Sequence, residues 1–223
     1  MGLPLAPTTP SMTVPPQPQP NSEQPDSQNR RSVAIALKDR LGSSLRVELP
    51  MLDQRAALVE LFRACDGRRW KQRTNWLSQL PLAQWFGVKV DRSGNVVALL
   101  LPYNNLSGVV PASLGCLPFL QELDLRYNQL SEISPALGAL SRLEKLHLHC
   151  NKLRGTVPPE LGGCRALRLL DLHSNALGGL VPVEEIGSLP HLQYINLASN
   201  CWSGQESVHR VRKSLPHCRA VMM

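Results

Sequence analysis

Five asparagines recur at a near-constant interval: Asn104, Asn128, Asn151, Asn175 and Asn200, 23 to 25 residues apart. Each sits in the same apolar frame. The first frame is Val96, Leu99, Leu101, Asn104, Leu106, and the second is Leu120, Leu123, Leu125, Asn128, Leu130. The third and fourth are Leu143, Leu146, Leu148, Asn151, Leu153 and Leu167, Leu170, Leu172, Asn175, Leu177; the fifth is Leu192, Ile195, Leu197, Asn200, Trp202. A unit this short cannot bury its apolar face alone, so neighbouring units must stack. Residues two apart on a strand share a side, and stacking turns pairs such as Leu146 and Leu148 into continuous columns. Turn backbone inside such a coil is removed from water, and its N–H and C=O groups need partners. An Asn amide carries donors and an acceptor. The five asparagines are therefore assigned a structural role, bridging the loops above and below.

The spacing L-x-x-L-x-L-x-x-N-x-L at this period is the signature of a leucine-rich repeat solenoid. The expected fold class is an α/β solenoid with a short parallel concave sheet, an N-terminal helical cap and a C-terminal helical cap. Residues 1–48 carry Pro4, Pro7, Pro10, Pro15, Pro16, Pro18, Pro20 and Pro25 among Gln, Ser and Asn, and read as a disordered tail. Pro4-x-x-Pro7 has the spacing of a polyproline ligand, and an amphipathic stretch around Val33, Ile35, Leu37 and Leu41 suits a short helix. Residues 49–95 read as the N-terminal cap, 96–204 as five repeats, and 205–223 as the C-terminal cap. Asp53 is the expected N-cap of a helix whose Leu58, Leu61, Phe62 and Cys65 form one buried face. Val88 to Val90 and residues 96–101 read as a hairpin around the turn at residues 91–95. At the other end, residues 206–215 suit a helix burying Val208, Val211 and Leu215, followed by a closing strand around residues 217–221. With both caps present the chain reads as complete.

Composition narrows the function. The net charge is +7, yet the basic groups Arg68, Arg69, Lys71, Arg73 and Arg210, Arg212, Lys213, Arg219 lie before and after the repeats rather than on one face. Nucleic acid is not the expected partner. The longest apolar run, residues 96–101, is far below the ~20 residues of a membrane helix. The N-terminus lacks a charged and apolar leader, and Ala6 breaks a myristoylation pattern. The six cysteines include no C-x-x-C pair. Cys116 and Cys164 read as equivalent small buried thiols. A monomer in the cytoplasm is expected, with an extracellular or membrane-associated address as the alternative.

A run of residues through the cap resembles a known family: Asp53, Leu58, Leu61-Phe62, Asp66-Gly67, Trp70, Asn75-Trp76-Leu77, Pro81-Leu82 and Trp85-x-Gly87-Val88. It is similar to the N-terminal cap of plant-type leucine-rich repeat proteins, which include receptor-kinase ectodomains and soluble relatives. The repeats agree, for Asn104-x-Leu106-Ser107-Gly108-x-Val110-Pro111 resembles that family's N-x-L-S-G-x-I-P. The resemblance covers residues 53–204. Secreted members carry a cysteine pair in the cap, and here Lys89 or Val90 stands where one cysteine is expected, leaving Cys65 without a partner. Repeat two, Ser131-Glu132-Ile133-Ser134-Pro135, lacks the Gly and is one residue short, so its outer turn is expected to differ. Asn105-Leu106-Ser107 is a glycosylation triplet that falls out of the repeat pattern.

The residues alternating with the buried leucines define the candidate binding face. They are Ala98, Leu100, Pro102; Glu122, Asp124, Arg126; Lys145, His147, His149; Leu169, Asp171, His173; and Tyr194, Asn196, Ala198, with Tyr103 and Tyr127 at strand ends. Concave repeat surfaces bind partners, and Tyr and Arg are favoured anchors. The strand face spans on the order of 300–600 Å², against ~800 Å² per partner in a stable complex. It suits a short peptide or modest contact unless loops or a cap join in. The expected function is a non-enzymatic protein-interaction module, a signalling scaffold binding a protein or peptide, with no cofactor. The alternatives are a receptor-ectodomain-like recognition protein, or a metal-binding or catalytic protein using the His147/His149/His173 patch. No phosphate loop, G-x-S-x-G or H-E-x-x-H is present. Asp171 and His173 share a strand face from which Ser174 turns away, so no triad is expected.

Overall fold

Helix α1 (Gln54–Ala64) starts where the Asp53 carboxylate accepts the Arg55 N–H at 3.1 Å. The computed structural model describes Gly2, residues 53–203 and 205–215, Cys218 and residues 220–222; the proline-rich tail and its short helix lie outside them. The α1 face of Ala57, Leu58, Leu61 and Phe62 is buried, and Cys65 lies beneath it. Asp66 then turns the chain with φ 51°, and at Gly67 a Cβ would lie 2.3 Å from the Phe62 ring, so only glycine fits. Phe62, Trp70, Trp76 and Trp85 pack ring on ring, with neighbouring centroids 4.8–5.9 Å apart. This aromatic plug covers the open core of the first coil. Such rings bury large area and add specific edge contacts.

In chain order the strands are β1 (Val88–Val90), β2 (Val96–Leu100), β3 (Ser107–Val109), β4 (Glu122–Asp124), β5 (Gln129–Glu132), β6 (Lys145–His147), β7 (Leu169–Asp171), β8 (Gly178–Gly179), β9 (Tyr194–Asn196), β10 (Cys201–Trp202) and β11 (Ala220–Met222). The main sheet runs β1-β2-β4-β6-β7-β9-β11. β1 joins antiparallel and every later neighbour is parallel. Leu99, Leu123, Leu146, Leu170 and Ile195 stand in one register, all fully buried. The convex side carries 3-10 turns at Ala112–Cys116, Pro135–Ala139 and Pro159–Gly163, then helix α2 (Val183–Gly187). These turns stack closely: a Cβ on Gly138 would lie 2.0 Å from the Glu160 carbonyl oxygen. Helix α3 (Gln205–Ser214) follows the last coil, and Val211 and Leu215 are buried against the core.

Two details depart from, or refine, the sequence reading. Cys164 is buried but Cys116 is exposed. The residue equivalent to Cys164 is Leu117, three before Leu120 as Cys164 is three before Leu167; both end their 3-10 turns and are buried. Cys116 lies one position earlier and points out. In repeat two, Ile133 fills the pocket held elsewhere by Val110, Val157 and Val181. It comes one residue sooner after its leucine, and the β3–β5 pairing slips between Gly108 and Val109. Ser134 replaces the proline there and caps the next turn, its hydroxyl accepting the Ala136 N–H at 3.3 Å.

Candidate functional site: the concave face

Each coil turns through one left-handed residue placed just before its asparagine. Tyr103, Tyr127, Cys150, Ser174 and Ser199 have φ of 53–56°. None is glycine, so each carries a backbone cost of roughly 1–2 kcal/mol. The turn swings the asparagine inward. Asn128 donates to the carbonyls of Leu101, Leu125 and Arg126 at 2.9–3.1 Å, and its Oδ1 accepts the N–H groups of Asn104 and Leu106 at 3.0 and 2.9 Å. Asn151, Asn175 and Asn200 repeat the scheme, each joining its own coil to the preceding one. Asn104 has no preceding coil and bonds Gln72 of the cap through both amide atoms.

The same turn lifts the rings of Tyr103 and Tyr127 onto the rim. They stack at 4.1 Å with 9° between planes, and remain 55% and 41% exposed. Tyr127 meets His149 edge-on at 5.4 Å, and His149 stacks on His173 at 4.4 Å. Four rings from four successive coils thus form one stripe. The neighbouring Tyr103 hydroxyl first, and Cys150 second, hold the Tyr127 phenol up at about 12.

Beneath the stripe the sheet face is more closed than period-two alternation implies. Asp124, His149, Asp171 and Asn196 are buried, each 6–7% exposed, while Glu122, Arg126, His147, His173 and Tyr194 are half-buried and Lys145 is exposed. Strands ~4.8 Å apart crowd their concave side chains together. Asp124, Asp171 and Asn196 occupy the same place in three coils, and each uses Oδ1 to accept the N–H two residues on, from Arg126, His173 and Ala198. In the coil between Asp124 and Asp171 that place belongs to His147. Asp124 Oδ2 lies 3.3 Å from Arg126 Nε, and Glu122 pairs laterally with Lys145 at 3.9 Å. Asp171 stands between two imidazoles: Oδ1 is 2.6 Å from His173 Nδ1 and Oδ2 is 3.3 Å from His149 Nδ1. The second contact lacks hydrogen-bond geometry, leaving His149 Nδ1 buried and unpartnered, like His147 Nδ1 and Arg126 Nε. Burial pushes both His147 and His149 below the usual imidazole range, against the pull of nearby carboxylates. A cleft of about 240 Å³ opens at the foot of the sheet beside Lys89, Glu122, Glu144 and Lys145.

A leucine rich repeat family pattern matches residues 120–177. A chain of the BIR3–SERK2 complex from Arabidopsis thaliana is 30% identical, over 66% of this chain and 82% of its own, with a TM-score of 0.57. The chain belongs to the leucine-rich repeat family. The BIR2 ectodomain from the same plant gives 30% identity over 66% of this chain and 81% of its own, with a TM-score of 0.57. The PEPR1–AtPEP1 structure gives 27% identity and a TM-score of 0.63 over 72% of this chain but 23% of its own. This leucine-rich repeat protein is thus of the plant type, built like receptor-kinase ectodomains. Among its described residues no helix is long and apolar enough to cross a membrane.

Two residues of this leucine-rich repeat protein join the site that sequence did not place on the binding face. Cys150 brings Sγ to 3.9 Å from His173 Nε2. Its place just before Asn151, matching Tyr127 before Asn128, is the signal that locates it. Asn105 is the second: its Nδ2 donates to the Arg69 carbonyl at 3.0 Å and its Oδ1 accepts from Gln129 Nε2 at 2.6 Å. The amide of the glycosylation triplet is therefore already engaged.

Proposed function

We propose that the domain is a non-enzymatic recognition module of the receptor-ectodomain type, taking a protein or an extended peptide along the concave face. The observation that carries this reading is the aromatic stripe. Tyr103 and Tyr127 are held rigidly by stacking and left exposed, so little side-chain entropy is lost when they are covered. Mixed charges at Glu122, Asp124, Arg126 and Lys145 flank the stripe and would fix orientation. The relatives support the reading, since BIR3 is seen in complex with SERK2 and PEPR1 with AtPEP1. Neighbouring strands and the rims must add area to the strand face before a stable complex forms.

The test is a peptide-display selection on the full chain, followed by affinity measurement on Tyr103→Asn/Tyr127→Asn. Asn tolerates the left-handed backbone there. Loss of two anchor rings should weaken selected binders by about 30-fold or more. Selected binders that hold wild type and variant equally would refute the concave-face reading.

The compartment is a separate matter, and the observation favouring the cytoplasm is that Cys65, Cys116, Cys150, Cys164 and Cys201 form no disulfide among the described residues. Burial pushes the Cys65 and Cys164 thiols up to about 12 and about 11. Both should resist alkylation in the native state, while Cys116 and Cys201 react. Six alkylated cysteines, in protein isolated and then denatured in excess alkylating agent without reductant, support a reducing address; fewer would place the chain outside the cell.

A further inference from the structure

We infer that His147, His149 and Asp171 form a site for a divalent transition-metal ion of the zinc type on the concave face. One donor atom from each of the three side chains lies within 4.8 Å of the others. The geometry comes from register: His147 stands directly opposite Asp171 on β7, and His149 follows His147 two residues on, beyond the end of β6. Zinc ligands at ~2.0–2.1 Å in a tetrahedron stand ~3.3 Å apart. His149 Nδ1 and Asp171 Oδ2 already have that separation. The donor of half-buried His147, within 4.8 Å of both, must close the remaining distance by side-chain rotation.

Independent of the clustering, His149 is 6% exposed and its Nδ1 has no hydrogen-bond partner, and His147 Nδ1 is likewise buried and unpartnered. A buried polar atom left without a partner costs about 1–3 kcal/mol, and two in one place call for a missing ligand. Two imidazoles and one carboxylate are a donor set for a borderline cation, not for calcium or magnesium, which take oxygen. Neutral imidazole is the ligating form, and burial favours it for both rings. His173 is not a ligand in this arrangement. It holds Asp171 Oδ1 at 2.6 Å, the outer support that ligating carboxylates use. Asp124, beside His147, adds negative charge, while Arg126 is the opposing cation and is drawn toward Asp124 Oδ2. Three protein ligands leave a coordination position open to water or to a donor from a docked chain. The site does not depend on the proposed partner binding.

The experiment uses the full chain, stripped with chelator, in zinc calorimetry and in visible spectroscopy with Co²⁺. One ion per chain is expected, with a nitrogen–oxygen cobalt spectrum lacking thiolate charge transfer. His147→Gln and His149→Gln should each weaken binding at least tenfold, and His191→Gln, at an exposed position, should not. Circular dichroism of each variant identifies any that fails to fold; His147→Gln, at the half-buried position, serves as the arbiter. Equal affinity in wild type and folded His147→Gln, absence of stoichiometric binding, or a thiolate band would each overturn the proposal. Display-selected binders that hold with and without chelator leave the recognition reading intact whatever the ion does.

Discussion

Two polar columns run through the same coils and treat their atoms in opposite ways. In the asparagine column each amide joins its coil to a neighbour, and Asn128 alone satisfies five backbone groups. In the column of Asp124, His147, Asp171 and their neighbours, Arg126 Nε, His147 Nδ1 and His149 Nδ1 are buried without hydrogen-bond partners. The first column is closed by the backbone and serves folding. The second leaves three nitrogens without hydrogen bonds, two of them held only by carboxylates 3.3 Å away. Under the metal-site proposal, the contrast separates groups that close the coil from groups that would hold an arriving ion.

Substitution sharpens this contrast, and stability is best measured by urea unfolding in chelator so that no ion contributes. Asn128→Ala strips partners from buried N–H and C=O groups in two coils and should cost about 4 kcal/mol. Asp171→Ala removes one backbone bond and the His173 pairing, and should cost about 2 kcal/mol. His149→Leu deletes an unpartnered buried nitrogen while keeping an apolar filler, and should lie within about 1 kcal/mol of wild type on the stabilising side. Ser174→Gly relieves a left-handed residue but frees the unfolded chain, for a net gain of a few tenths of a kcal/mol. A loss of several kcal/mol in His149→Leu would break the contrast, because that column would then be structural too.

The solenoid was legible because every period repeats one packing problem. Leu146 and Leu148 announce their burial by spacing alone, and Asn151 by its offset from them. The cap was legible through Trp70, Trp76 and Trp85 and the residues between them. The concave face was legible only as a list. Alternation places His149 and Asp171 on one side, but their burial depends on how closely neighbouring coils lie, which no single coil encodes. Nor did spacing reveal that Asp171 would be shared by two imidazoles, with His173 the nearer. Cys116 shows the limit at its smallest: one residue of register separates an exposed thiol from a buried position.

β1 lies antiparallel against β2, so the first edge of the main sheet is turned back on itself, and at the far edge β11 follows β9. The first border does not present the template of the coils between, so a rung is most simply added by splicing in the middle. A duplicate of residues 143–166 would bring its own leucines and its own bracing amide, and would widen the ladder by one rung of ~4.8 Å. The ruler by which such a protein is enlarged is thus internal, and its two borders can stay untouched while its reach is tuned.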